Sequence, residues 1–130
     1  MTVLFSRTDL PTQDIFLIVF STEQQRVVGN LLLDFVIKNN GEIKNTQMSA
    51  FATNLHFGKL NKIFEHEKAK GIKYNKRQFY DRIVTPMKEM GMLDYQKEQK
   101  SYKISLDFNR LTAKIGGLWL ERVGNQTLAN

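Results

Sequence analysis

The apolar positions of this chain fall into blocks whose spacing changes from one to the next. Ile15-Phe16-Leu17-Ile18-Val19-Phe20 is a run of β-branched and aromatic residues that reads as a short buried strand. Nothing between Thr12 and Asn39 strictly forbids one continuous helix as the competitor. Ser21 followed by Gln24 is a capping-box pattern and opens a helix to about Asn39, with Gly41 as its stop. On that helix Val27, Val28, Leu31 and Phe35 share one face, while Leu33 and Ile37 fall nearly opposite. A surface helix needs only one apolar stripe, so this one must be covered on both sides, by the preceding segment, by a partner subunit, or by both.

A short strand is expected at Gly41-Glu42-Ile43-Lys44, then a helix capped by Asn45 or Thr46 that buries Phe51 and Leu55. Lys59 to Ala69 reads as a third helix presenting Leu60, Ile63 and Phe64, after a bend near Phe57-Gly58. Asn75 can cap the next helix, whose buried face is Phe79, Ile83, Met87 and Met90 at spacings of four, four and three. Pro86 lies inside it and predicts a kink, since it lacks an N–H. Alternation of Leu93 and Tyr95, then of Tyr102, Ile104 and Leu106, around the polar stretch 96–100 predicts a β-hairpin. A last helix from about Asn109 to Val123 places Leu111, Ile115, Leu118 and Trp119 at helical spacing, with Gly116 and Gly117 inside it. Close approach of another helix would explain those glycines, and so would plain weakness of this one.

The chain has 130 residues, enough to bury roughly two-thirds of its unfolded surface in one core. It divides into an arm and apolar segment over residues 1–20, a central domain over 21–107, and a C-terminal helix and tail over 108–130. With 42% apolar and 25% charged residues the composition is that of a globular domain. The absence of cysteine removes disulfides, thiolate zinc sites and cysteine nucleophiles. The longest purely apolar run has six residues, against about 20 for a membrane helix, and no export signal is legible, so a cytoplasmic protein is expected.

The formal charge of +6 is unevenly placed: residues 1–50 carry −1 and residues 51–130 carry +7. The densest stretch is Lys68, Lys70, Lys73, Lys76 and Arg77, with no acid among residues 68–80. A one-sided cationic field favours a polyanion as partner, although a lysine run can also be a merely solvated face. Turning Phe79, Ile83, Met87 and Met90 inward leaves Arg77, Gln78, Asp81, Thr85 and Lys88 outward, with Lys76 and Arg82 flanking them.

The order helix, strand, helix, helix, hairpin with a basic tip resembles a winged helix-turn-helix domain, an α+β and mainly α fold. The resemblance is sharpest over Lys76-Arg77-Gln78-Phe79-Tyr80-Asp81-Arg82-Ile83-Val84-Thr85-Pro86-Met87-Lys88-Glu89-Met90-Gly91-Met92-Leu93 and extends from about Ser21 to Asp107. A longer stretch before this helix, and Pro86 within it, depart from compact members of the superfamily. The resemblance implies a transcriptional regulator of double-stranded DNA, with helix 75–90 in the major groove and tip 96–101 on the phosphates. Arg77, Gln78, Asp81 and Thr85 are then the candidates for reading base edges, since arginine and glutamine pair bidentately with guanine and adenine. Asp81 could accept from cytosine or orient Arg77 across one turn, and it equally suits a face that meets protein. Phosphate candidates are Lys68, Lys70, Lys73, Lys76, Arg82, Lys88, Lys97, Lys100 and Lys103. A homodimer is expected, with Leu33, Ile37, Leu118 and Trp119 as candidate contacts. A protein-binding module of a transcription or replication assembly, or a replication-initiation accessory protein, is the other reading, because fold does not fix function.

Catalytic parts are not legible. Neither a Walker-type phosphate loop nor Gly-x-Ser-x-Gly occurs. His56 and His66 stand ten residues apart, which favours ordinary structural and surface histidines over a metal pair. No cofactor is implied, and an enzyme is not expected.

Overall fold

A computed structural model describes residues 14–124, so most of the expected arm and the final tail lie outside the described residues. The element order is α1 (Phe16–Val19), α2 (Glu23–Lys38), β1 (Glu42–Lys44), α3 (Asn45–His56), α4 (Leu60–Ile63) and a 3-10 turn (Glu67–Ala69). There follow α5 (Lys76–Phe79), a π-helical segment (Tyr80–Val84), α6 (Thr85–Glu89), β2 (Leu93–Gln96), β3 (Ser101–Ile104) and α7 (Asp107–Val123). The fold is α+β and mainly helical, with one antiparallel three-stranded sheet in the order β1-β3-β2. That topology is compatible with a winged helix.

Residues 15–20 form a helical turn, not the expected strand. Asp14 caps this turn: its Oδ1 accepts the Phe16 N–H at 2.9 Å and its carbonyl accepts from Leu17 at 3.0 Å. The turn puts Phe16 and Phe20 on one side, where their rings stack with centroids 5.7 Å apart. Both are buried against α2 at Gly29, where a Cβ would stand 2.8 Å from the Phe20 ring and 3.1 Å from that of Phe16. One side of α2 is therefore covered from within the chain. The cap of α2 is Thr22, one residue later than Ser21: its Oγ1 accepts the Gln25 N–H at 3.1 Å and its hydroxyl donates to Gln25 Oε1. The Ser21 carbonyl instead accepts from Arg26, whose Nε also donates to the Phe20 carbonyl.

The core of α2 also includes Leu32 and Val36, which belong to neither of the two faces read from the sequence. Phe35 joins Phe51 of α3 and Phe64 at ring-centroid distances of 5.9 Å each. Leu33, expected at a dimer contact, packs against the chain's own core, and Ile37 is exposed.

The helix expected from Lys59 to Ala69 is broken. Leu60 and Ala69 are both fully buried, yet nine residues of continuous helix would set them on opposite faces. A positive φ of 51° at Glu65 breaks the run and returns Ala69 to the core through the 3-10 turn.

Helix 76–89 is continuous but unevenly wound. Pro86 cannot donate to the Arg82 carbonyl four residues back and its ring crowds that position. The disturbance lies before the proline, as five residues of π-helix closed by Thr85 N–H donating to the Tyr80 carbonyl. The Gln25 side chain of α2 donates Nε2 to the Arg82 carbonyl at 3.2 Å. Phe79, Ile83, Val84 and Met87 are buried, and Met90 is partly buried against the same core.

The hairpin forms as expected, with Leu93 opposite Ile104 and Tyr95 opposite Tyr102. The alternation ends sooner than the sequence suggests: Leu106 lies beyond the strand, 77% exposed at the start of α7. Gly91 seats that helix. Its φ is +80°, a Cβ there would be 2.8 Å from the Phe108 nitrogen, and its carbonyl accepts the Phe108 N–H at 2.9 Å.

Two glycine substitutions should act oppositely. Alanine is the better helix former by about 1 kcal/mol, but at position 29 it must displace two buried rings, so Gly29→Ala should destabilise by about 1–3 kcal/mol in urea unfolding. Gly117→Ala, where a Cβ meets nothing within 4 Å, should raise helix content by circular dichroism and leave the core unchanged.

Candidate nucleic-acid interface

Asn75 fixes the start of helix 76–89. Its Oδ1 accepts the Gln78 N–H at 2.8 Å while the Asn75 N–H donates to Gln78 Oε1 at 2.9 Å, a reciprocal capping box. Gln78 is thereby half-buried with its carbonyl oxygen engaged in the cap, which leaves it a poor bidentate reader. Arg77 is 90% exposed, and its Nε lies 3.5 Å from Asp81 Oδ2 across one turn. So exposed a pair is worth little in stability, about 0–1 kcal/mol, but it restricts where the guanidinium points. Thr85 and Lys88 are exposed further along the same outward face.

The remaining cations separate into groups. Around the start of the helix, Lys76 lines a shallow cleft of about 320 Å³ with Asn75, Thr53, His56 and Phe57 of the neighbouring segment. The Lys73 side chain crosses the turn at Gly58, 2.9 Å from where a Cβ would stand. Lys59 Nζ is 5.7 Å from the centre of the exposed Phe57 ring. Lys59, His56 and Phe57 were missed in the sequence, where they look like part of an ordinary helix end; only the bend at Phe57-Gly58 signals them.

At the far end, Lys88 Nζ lies 5.7 Å from the Tyr95 ring, so the helix runs out beside the hairpin. Lys97 and Lys100 are exposed at the hairpin tip. Lys44, also missed, joins them: its Nζ donates to the Gln99 carbonyl at 3.5 Å, and Asn45 N–H donates to the Lys100 carbonyl at 2.9 Å. The start of α3 and the hairpin tip are thus one surface.

Other predicted phosphate residues sit differently. Lys103 pairs across the sheet with Glu42 on one side and Asp94 on the other, so two carboxylates share its face. Arg82 lies over the buried Tyr74 ring at 5.3 Å, toward α2. Lys68 borders a cleft with Asp14, Glu23, Asp34 and His66, whose carboxylates offset its charge. His66 Nδ1 is buried there without a hydrogen-bond partner. Lys70 is exposed.

Beneath the hairpin, Tyr80, Tyr95 and Tyr102 converge, and Asn45 Nδ2 donates to the Tyr95 hydroxyl at 3.0 Å. Burial, reinforced by the Tyr80 and Tyr95 phenols, pushes the Tyr102 hydroxyl up to about 12. Burial also raises Tyr80.

Comparisons with protein-family models, with curated proteins and with solved structures return no match to this chain. Among the described residues no group of three metal-ligating side chains occurs, and no helix is long and apolar enough to cross a membrane.

The tyrosine cluster gives a pH test. A phenol whose folded value lies above 10 contributes stability that is complete below pH 10 and is lost as pH climbs toward about 12. Alkaline unfolding should therefore begin in that window, and Tyr102→Phe should move its midpoint to higher pH. Separately, Asn75→Ala removes the cap and should cost about 1 kcal/mol in chemical denaturation.

Proposed function

We propose that the chain is a winged helix-turn-helix module that binds double-stranded DNA and acts as a transcriptional regulator. Helix 76–89 enters the major groove, and the β2–β3 hairpin is the wing, resting its tip on the phosphate backbone. The observation that carries this reading is a helix whose outward face is uncovered and whose two ends are each flanked by cations, Lys59, Lys73 and Lys76 at one and Lys44, Lys97 and Lys100 at the other. A helix with free polar side chains between two cationic shoulders matches a groove between two phosphate rails.

Within that reading Arg77 and Thr85 face base edges. Asp81 holds Arg77 in position, and its pairing disfavours phosphate at the middle of the face. Lys68, Arg82 and Lys103 take a lesser part, because carboxylates or an aromatic ring already occupy their surroundings.

Mobility-shift titrations at two salt concentrations test the proposal. Affinity should fall steeply with salt, with a slope of about 0.9 per phosphate contact on a log–log plot. Arg77→Ala should lower discrimination between a selected site and random duplex, while Lys100→Ala should weaken both alike. A face that binds protein would instead show little affinity for random duplex at low salt, and identical effects of both substitutions on every sequence would remove the groove-reading role of Arg77.

A further inference from the structure

α7 is out of keeping with the rest of the molecule. Of twelve exposed large apolar side chains among the described residues, seven lie between Ile104 and Leu120. Phe108 anchors the first turn on the core, but none of the helix's seventeen residues is buried. Leu111, Ile115 and Leu118 follow one another at spacings of four and three, with Trp119 beside them at 64% exposure and Arg122 continuing the line. Gly116 and Gly117 fall on the opposite face, where a Cβ meets nothing. An isolated helix of this length with two adjacent glycines is marginal in water, so the apolar line requires a cover.

We propose that the cover is α7 of a second copy, packed antiparallel, so that the protein is a homodimer joined through this helix. The charges select the occupant and the direction. Lys114 and Glu121 stand one heptad apart on the same flank of the apolar line. An antiparallel pair centred between Gly116 and Gly117 sets Ile115 against Leu118 twice, by symmetry, and brings Lys114 and Glu121 of the partner helix onto one flank with an axial offset of about 3 Å, also twice. A parallel pair would set Arg122 against its own counterpart in the seam and leave the acid–base match unused. The seam is short, about three turns, so association is weak enough to follow by dilution. The inference does not depend on the DNA reading.

Sedimentation of the full chain tests it, together with emission from Trp119, the sole tryptophan. On concentration the protein should pass from monomer to dimer while Trp119 emission moves to shorter wavelength. Leu118→Glu should keep both measures at the monomer value without unfolding the body, since Leu118 is exposed in the monomer. Lys114→Glu should weaken association about tenfold, and adding Glu121→Lys should restore it. The chain lacks cysteine, so introduced thiols report alone. The double variant Leu111→Cys/Arg122→Cys should cross-link under oxidation and Arg122→Cys by itself should not. A monomer at all concentrations, a dimer indifferent to Leu118→Glu, or ready cross-linking of Arg122→Cys alone would each overturn the proposal.

Discussion

The contact between Phe51 and Phe79, with ring centroids 5.4 Å apart, ties the candidate interface to the rest of the molecule. Phe51 in turn meets Phe35 and Phe64, so α2, α3, the segment after α4 and helix 76–89 share one aromatic cluster. Phe51 and Phe79, both buried, each contribute about 1.5–3 kcal/mol of transfer free energy, and the half-buried Phe35 and Phe64 less. With Phe79, Ile83 and Met87 held inward, Arg77, Asp81, Thr85 and Lys88 have only the outside left to them. The exposure of the proposed reading face is a consequence of core packing.

Pro86 shows how that helix tolerates an unfavourable residue. The lost hydrogen bond and the ring clash are absorbed by widening the preceding turn, and the freed Arg82 carbonyl finds a donor on α2. Val84 is buried in the widened turn together with Ile83. Arg82 stands over Tyr74, off the line of Arg77 and Thr85.

The electrostatic pattern follows a similar logic. The lysine-rich stretch 68–77 does not form one patch: Lys68 faces carboxylates on the α2 side, whereas Lys73 and Lys76 gather with Lys59 near the end of α3. Net charge measures the long-range attraction of a polyanion. Which lysines can touch it depends on neighbours from distant parts of the chain.

Features that depend on neighbours along the chain were legible without coordinates. The spacing of Phe79, Ile83 and Met87 specifies a helix and its buried face, alternation around residues 96–100 specifies a hairpin, and the apolar line of α7 can be read residue by residue, because periodicity is a local property of the backbone. Tertiary structure decided the rest. Burial of Ala69 beside Leu60 broke a helix that local spacing favours, and the fit of Phe16 and Phe20 onto Gly29 set a helical turn where β-branched residues suggested a strand. The cross-strand placement of Glu42 and Asp94 offset Lys103. Each of these is a contact between separate elements of the fold, and its energy exists only once the chain has turned back upon itself.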